Sequence, residues 1–508
     1  MVSVILTGND LTLKELSRVV YDREKIELNP DSIKKIVKCR DYVDKIIEEN
    51  RVVYGLTTGF GKFSNIRIPK EDIEELQKNL ILSHATGVGK NLSIEETRAV
   101  MLLRINVLVK GHSGIRLSTL QTLIDMLNKG VHPCIPEKGS VGASGDLAPL
   151  SHLALVLLGE GEAEYNGKFI SGKEALELAG IEPVVLKAKE GLALNNGTQV
   201  MTGVGALNLL RAERLCQIAD VVACMGIDAL MGTGSAFDAL VHNLRPHNGQ
   251  LDSAKNLNSL LKASELNCSH KYCSNVQDAY SLRCTPQVNG AVRDALKYIR
   301  NTIEIEMNSA TDNPLIFPDE DKVISGGNFH GEPIAFAMDT MAFTISELAN
   351  ISDRRTEQLL NPALNNDLHP FLAPRPGLDS GFMIAQVTSA ALVSENKVLS
   401  HPSSVDSIPT SANQEDHVSM GTIGAMKART ILDNANIVFA IELMTACQAL
   451  DCRKIKSSPA IEAVKKEIRK TVKHLDRDRI MTDDINNLIQ IIDSDIIPGI
   501  VKQFIELG

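Results

Sequence analysis

The chain has 508 residues, with 53 Lys and Arg against 63 Asp and Glu, and it contains no Trp, 12 Phe and 7 Tyr. Its net charge of −10 and its few aromatic side chains argue against nucleic acid or an anionic membrane as the main partner. The N-terminus lacks the basic and apolar regions of a signal peptide, and the apolar runs are too short or too interrupted to span a bilayer. We therefore expect a cytoplasmic protein.

Helix signals dominate the chain. Capping boxes start at Thr12 and Ser93, where Glu follows three residues later, and Asn29-Pro30 is typical of a helix start. Long periodic segments lie near residues 198–232, 286–310, 333–360 and 418–450. Several of them are apolar on more than one face, and such helices must be buried among other helices. Strand signals are confined to residues 2–6, 164–169 and 322–325.

These patterns predict an all-α, mainly helical fold built on a long central helix bundle. We expect an N-terminal domain at residues 1–200 and a long-helix bundle domain at residues 201–508. Within the second domain, the segment 361–417 carries six prolines and many Ser, Asn and Asp. It is predicted to be a long active-site loop, because loops of this length in compact proteins are often functional.

The nine Cys form no zinc-binding spacing that we can name, including the group Cys268, His270, Cys273 and Cys284. Free thiols and no metal are the expectation.

The most informative stretch is GSVGASGDLAPL at residues 139–150, a glycine-rich turn that opens an apolar helix. Asp146 is a candidate cap for that helix, whose free amides would favour negative charge. The residues alone leave other interpretations open. The stretch suits a structural turn, and a serine nucleophile is also conceivable, although the Gly-x-Ser-x-Gly order fails by one position at Ser144.

The string ASGDLAPL resembles the signature of the aromatic amino acid ammonia-lyases and aminomutases. In that family Ala-Ser-Gly cyclises to the electrophile 4-methylideneimidazol-5-one (MIO), so the resemblance implies that Ala143, Ser144 and Gly145 form this ring. The residue types fit, because Gly145 leaves its amide nitrogen unhindered and Ser144 carries the hydroxyl to be lost as water. The resemblance also implies a fumarase/aspartase-like bundle, an MIO in the N-terminal domain, and a homotetramer with shared active sites.

Further blocks in family order extend the resemblance over essentially the whole chain. They are VYGLTTGFGKFS, NLILSHATGVG, GLALNNGTQ, QDAYSLRCTPQVNG, SATDNPLIF, SGGNFHGEP and NQEDHVSMG. The resemblance implies three sets of site residues. The catalytic set is Tyr54, Tyr280 and Glu415; the substrate-binding set is His84, Asn196, Gln277, Arg283 and Phe329; the cofactor-supporting set is Asp146 and Asn313. Arg283 suits the clamp for a carboxylate, since guanidinium binds it bidentately. We also expect Gln277, Tyr280 and Arg283 to share one helix face.

The pairs Ser83-His84 and Gln414-Glu415 resemble the members that act on histidine. The resemblance therefore implies deamination of L-histidine to trans-urocanate and ammonia, the first step of histidine degradation. A tyrosine ammonia-lyase or an aromatic aminomutase with the same cofactor is the alternative. The fumarase and aspartase enzymes are disfavoured, because their Gly-Ser-Ser-x-Met-Pro-x-Lys loop is absent. A non-catalytic binding protein is disfavoured by the presence of Ser144, Tyr54 and Arg283.

Overall fold

The computed structural model describes residues 3–270 and 276–508. The helices are α1 Leu13–Tyr21, α2 Pro30–Glu48, α3 Ile73–His84, α4 Ile94–Val109, α5 Leu117–Lys129, α6 Leu147–Leu157, α7 Gly172–Leu178, α8 Glu190–Asn195, α9 Gln199–Ala229, α10 Ala239–His242, α11 Asn248–Leu260, α12 Glu265–Ser269, α13 Tyr280–Arg283, α14 Thr285–Met307, α15 Glu332–Leu360, α16 Met383–Leu399, α17 Gly421–Cys452, α18 Pro459–Thr471, α19 Thr482–Ile492 and α20 Ile496–Val501. The predicted all-α class is confirmed.

The strands are short and form four small sheets. They are β1 Val4–Leu6, β2 Ile26–Leu28, β3 Val88–Asn91, β4 His132–Pro133, β5 Pro136–Lys138, β6 Glu162–Tyr165, β7 Lys168–Ser171, β8 Leu315–Phe317 and β9 Lys322–Ile324. The β1–β2 pair is parallel, while β3–β5, β4–β6–β7 and β8–β9 are antiparallel.

The predicted helix starts are present. Both capping boxes form, at Thr12 and at Ser93, and the Asn29 side chain accepts a hydrogen bond from the amide of Asp31. Each cap satisfies an amide that the first turn of a helix leaves unpaired. The four long periodic segments correspond to α9, α14, α15 and α17, which are the four longest helices of the described residues.

Helix α17 is long and apolar enough to cross a membrane by length and composition. Its most apolar window is 83% buried inside the protein. Burial on this scale is what the apolar residues on several of its faces predict for a helix inside a bundle.

Contacts divide the chain into two units. Unit 1 comprises residues 1–208, 300–339 and 402–426, and unit 2 comprises residues 209–299, 340–401 and 427–508. In unit 1, α4 packs against α1 and α5 and is buried on nearly every side, while α6 packs against α3 and α8. The predicted boundary between residues 200 and 201 stays a prediction.

Unit 2 holds buried polar groups that are paired with one another. The carboxylate of Asp220 accepts hydrogen bonds from Ser253, Asn256, Asn289 and Arg293 and thereby joins α9, α11 and α14. Pairing of this kind is required because an unpaired buried charge is costly.

The prediction of a continuous loop over residues 361–417 is wrong in its middle. Residues Met383–Leu399 form α16. The six prolines lie only at the two ends of the segment, at 362–376 and 402–409. Proline disrupts a helix when it lies in the helix interior. The middle of the segment has no proline and can therefore form a helix.

Eight of the nine cysteines are free thiols, and Cys273 of the group noted above lies outside the described residues. Burial raises the pKa of the Cys39, Cys216 and Cys447 thiols to about 12.

Candidate active site

A cavity of about 1100 Å³ opens in unit 1. Its wall contains eight of the residues singled out from the sequence, namely Tyr54, His84, Ala143, Ser144, Asn196, Asn313, Phe329 and Glu415. These residues come from six separate stretches of the chain, near residues 54, 84, 143–144, 196, 313–329 and 415. The fold therefore brings most of the predicted site together around the tripeptide.

The tripeptide 143–145 forms a tight turn between two glycines with left-handed backbone. Gly142 has φ +70° and Gly145 has φ +68°. A Cβ atom on Gly145 would stand 2.2 Å from the carbonyl oxygen of Gly197, and one on Gly142 would stand 2.2 Å from the Ser419 hydroxyl. The positive φ and the close neighbouring atoms both exclude larger residues at these two positions, because only glycine accepts this φ without strain and has no Cβ to clash.

Asp146 does not cap α6, contrary to the expectation, because its side chain makes no cap hydrogen bond there. Its buried carboxylate instead accepts from the backbone amides of Val200 and Met201, at 2.9 Å each, and so caps the start of α9. The hydroxyls of Ser140 and Thr422 donate to its other oxygen. Burial raises the pKa of this carboxyl group, and the four donors offset only part of that effect.

Asn196 contacts the tripeptide directly. Its side-chain amide donates to the Ser144 carbonyl oxygen, with 2.8 Å between Nδ2 and O. The preceding Asn195 instead donates to the Ser151 hydroxyl at 3.1 Å. The amide of Asp146 donates to the carbonyl oxygen of Gly197 at 2.7 Å, so the Asn196-Gly197 turn lies against the tripeptide.

Arg104 supports that turn and was missed in the sequence analysis. This fully buried side chain on α4 donates from Nη1 to the Asn196 carbonyl oxygen at 2.9 Å and to Gln199 Oε1 at 2.6 Å, and from Nη2 to the Ala193 carbonyl. Burial lowers the pKa of Arg104 to about 10. Only its position inside an otherwise apolar helix pattern could have drawn attention to it, because a buried arginine is rare unless it is paired.

Glu415 accepts hydrogen bonds from three hydroxyls. Its Oε1 lies 2.6 Å from Ser144 Oγ, and its Oε2 lies 2.7 Å from Thr410 Oγ1 and 2.8 Å from Ser411 Oγ. Burial tends to raise the pKa of Glu415, but the three hydroxyls and the nearby His84 outweigh burial and hold the pKa below its ordinary value of 4.5. Glu415 is therefore a carboxylate at neutral pH.

His84 ends α3 and faces the same cavity. Its Nδ1 lies 3.0 Å from the Ser83 hydroxyl. Burial lowers the pKa of His84 below its ordinary 6.5, while the charge of Glu415 acts in the opposite direction. A neutral imidazole beside a carboxylate can accept or donate a hydrogen bond to a substrate ring.

Three further predicted residues complete the wall. The Tyr54 hydroxyl oxygen accepts a hydrogen bond from the Gly61 amide at 3.1 Å, and the ring meets Phe60 edge-on with 6.4 Å between centroids. Asn313 Oδ1 accepts from the Gly326 amide at 2.8 Å. Phe329 adds an apolar face to the cavity.

Gln277, Tyr280 and Arg283 belong to unit 2 and are not among the described residues that line the cavity. Tyr280 is 71% exposed, and the Arg283 guanidinium carbon lies 4.7 Å from the centre of its ring. These two share the short helix α13 as predicted, whereas Gln277 precedes the helix and is not part of its face. The reason is that α13 has only four residues.

One group of the described residues has the side chains of a metal site. His330, Glu332 and His417 place ligand atoms within 4.8 Å of one another. The two imidazole rings are stacked, with 5.5 Å between centroids and 12° between planes. A metal ion lies in the plane of each imidazole that binds it, and nearly parallel rings do not share such a point, so we assign no metal to this group.

Comparison with known proteins identifies the family of the chain. A family model described as aromatic amino acid lyase matches residues 11–470. The chain belongs to the aromatic amino acid lyase family, whose members make their electrophile from an internal tripeptide.

Individual relatives are similar over the full length. The chain is 55% identical over 504 residues to a histidine ammonia-lyase of Caldanaerobacter subterraneus subsp. tengcongensis, with 99% of each chain covered. A crystal structure of histidine ammonia-lyase from Trypanosoma cruzi matches with a TM-score of 0.92 at 44% identity, covering 99% of this chain and 96% of that one. A tyrosine aminomutase from Streptomyces globisporus matches with a TM-score of 0.93 at 40% identity, covering 100% of both chains.

Proposed function

We propose that this protein is a cytoplasmic carbon–nitrogen lyase that converts L-histidine to trans-urocanate and ammonia. One observation carries the proposal: Ser144 of the tripeptide lies in a cavity whose wall also holds His84 and the ionised Glu415. An imidazole and a carboxylate suit a substrate whose ring both donates and accepts hydrogen bonds. A phenyl ring would leave these two polar groups unpaired, which costs binding free energy.

The residues around the tripeptide fit the MIO group. The space around Gly145 has no room for a Cβ atom. Glycine also has no side chain that could hinder an attack by its own amide nitrogen. Asn196 donates to the Ser144 carbonyl oxygen, which would become the exocyclic carbonyl oxygen of the five-membered ring. When formed, this group supplies an electrophilic methylidene carbon to the substrate amine.

The side chains of unit 1 then have distinct tasks. Asn196 draws electron density towards the Ser144 oxygen by hydrogen bonding, an effect that acts strongly in a buried site. His84 and Glu415 orient the substrate imidazole. Tyr54 is our candidate for removal of the substrate β-proton, and the Gly61 amide that donates to its oxygen holds the hydroxyl in place at the cavity wall.

A cationic side chain is needed to bind the substrate carboxylate. The predicted site residues that line the cavity include no Lys or Arg. Arg283 is the residue suited to that task, with Tyr280 beside it and Gln277 nearby. We propose that these three residues reach the cavity of a neighbouring copy in a homotetramer. The exposure of Tyr280 supports this arrangement.

The test is an absorbance assay for urocanate with L-histidine, with L-tyrosine and L-phenylalanine as controls. We expect urocanate from histidine alone, and its loss in Ser144→Ala. A cinnamate-type product or a β-amino acid from tyrosine, without urocanate, would replace the proposal with the tyrosine lyase or aminomutase alternative.

A further inference from the structure

A hydrogen bond joins the side chains of Ser144 and Glu415. Ser144 Oγ–H donates to Glu415 Oε1 at 2.6 Å, and these residues are 271 positions apart in the chain. A carboxylate is thus directed at the hydroxyl that the tripeptide must lose. A role for Glu415 in holding the substrate ring does not explain this contact, because it is made with the tripeptide itself.

We propose that Glu415 is the proton-transfer group for the dehydration of Ser144, and so acts in the maturation of the protein as well as towards the substrate. The inference rests on the proposed function only in that the tripeptide must cyclise. It adds a catalytic task that takes place once in the lifetime of each chain.

The chemistry of maturation removes two waters. In the first step the Gly145 nitrogen bonds to the Ala143 carbonyl carbon, and the Ala143 oxygen leaves with the amide hydrogens of Ser144 and Gly145. In the second step the Cα–H and Cβ–Oγ bonds of Ser144 break, a Cα=Cβ bond forms, and the hydroxyl leaves as water. Glu415 takes the Cα proton and delivers it to Oγ, and it ends as the carboxylate with which it began.

The surroundings of Glu415 suit this exchange. Its Oε2 is held by the hydroxyls of Thr410 and Ser411, which leaves Oε1 directed at Ser144. Oγ and Cα of Ser144 are both bonded to Cβ, so a carboxylate that touches Oγ needs little movement to reach the Cα proton. General acid–base catalysis requires contact within hydrogen-bond distance, and this condition is met at the Ser144 hydroxyl that receives the proton.

The site also has room for the water that is released. A second cavity of about 320 Å³ adjoins the tripeptide, and its wall includes Ser144, Glu415, Thr410 and Ser411. One water occupies about 30 Å³ in the liquid. Hydroxyl groups in this wall can accept the leaving molecule by hydrogen bonding.

The experiment follows the intact mass of freshly synthesised full-length chains over time, without substrate. Wild type should lose two waters. In Glu415→Gln the first water should leave normally, while loss of the second should slow by about 100-fold, so that a species short of one water accumulates. Glu415→Asp keeps a carboxylate and should restore part of the rate. Asp416→Asn is the matched control, because it neutralises the adjacent exposed carboxylate in the same cavity wall and should lose both waters at the wild-type rate.

Two results would overturn the proposal. One is loss of both waters from Glu415→Gln at the wild-type rate. The other is retention of both waters by a Glu415→Gln chain that unfolds at the wild-type temperature, which would place Glu415 before the first step. A wild-type chain that loses both waters yet makes no urocanate would refute the proposed function and leave this inference standing.

Discussion

The side-chain amide of Asn196 donates a hydrogen bond to the backbone carbonyl oxygen of Ser144 at 2.8 Å. The contact joins the turn between α8 and α9 to the tripeptide, and we propose that the chemistry of the site depends on it. A donor directed at an oxygen that gains negative charge is worth about 100-fold or more in turnover.

We therefore expect Asn196→Asp to lower kcat with histidine by about 100-fold, because it replaces the donor with an acceptor. Asn195→Asp is the matched control. It makes the same chemical change one residue earlier, at a buried side chain that contacts Ser151. It should reduce thermal stability but not the turnover of the folded protein. Equal turnover losses in the two variants would contradict the role assigned to Asn196.

Arg104 and Arg98 offer a second matched pair, since both are buried on α4 and burial lowers the pKa of each to about 10. Arg104 binds the Asn196 carbonyl, whereas Arg98 binds the Val19 and Leu127 carbonyls. Lysine keeps the charge but loses the guanidinium fork. Both Lys variants should be less stable by about 2–4 kcal/mol, measured by urea unfolding. Only Arg104→Lys should also lower kcat, and an equal loss in Arg98→Lys would show a general packing effect.

Comparing Gly145→Ala with Gly167→Ala distinguishes the effect of close packing from the effect of backbone strain. It adds a Cβ at 2.2 Å from the Gly197 oxygen, at φ +68°. Gly167→Ala has a comparable φ of +79° with nothing within 4 Å of the added atom. Gly167→Ala should cost about 1 kcal/mol and mature normally by mass. Gly145→Ala should unfold at a clearly lower temperature and retain both waters. A Gly145→Ala chain that matures fully would refute the close packing described for the tripeptide.

Buried histidines should make the folded chain less stable as the pH falls below the ordinary pKa of histidine. Burial lowers the pKa of His84, His132 and His152 from 6.5 in the folded chain. At these three histidines the unfolded chain therefore binds more protons below about pH 6.5, so their contribution to the free energy of unfolding decreases as the pH falls from about 7 to about 5. His84→Asn should make this decrease smaller, and the two proteins should show the same pH slope between about pH 7.5 and 8.5. Urea midpoints at several pH values test this, and an unchanged slope in His84→Asn at low pH would refute it.

Sharing of sites between copies can be tested by mixing two inactive variants. Ser144→Ala lacks the reactive hydroxyl, and Arg283→Ala lacks the proposed carboxylate clamp. If a neighbouring copy provides Arg283, then subunits exchanged between the two proteins will form some sites with both residues intact. Urocanate production should appear only after mixing under conditions that allow exchange. Persistent inactivity of a verified mixed assembly would place Ser144 and Arg283 of one chain in the same site.

Much of the fold was predictable because local signals agreed with the final packing. The caps at Thr12 and Ser93 and the periodicity of α9, α14, α15 and α17 are set by nearby residues. Helix α16 was missed because few of its residues are buried. Its buried residues are Ala385, Ser389 and Asn396, of which only the first is apolar, so the helix shows no clear apolar face in the sequence.

The candidate site was predictable in its residue types and less so in its contacts. A capping role for Asp146 was a sound local inference, yet its carboxylate meets the amides of Val200 and Met201 more than 50 residues later. No sequence motif marks Arg104, because its partners include backbone carbonyl oxygens that come close to it only in the folded chain. Interactions over such separations depend on the tertiary structure.

Ser144 and Glu415 are 271 positions apart, so the proposed dehydration of Ser144 would depend on a residue that is synthesised much later than the tripeptide. A ribosome that has not yet reached residue 415 holds a chain in which this hydrogen bond cannot form. Under the proposed role of Glu415, nascent and prematurely terminated chains would retain the Ser144 hydroxyl and carry no electrophile. The proposed ring would then form only in chains that have been synthesised past residue 415 and have folded around residue 144, so the electrophile would appear only after its cavity has formed.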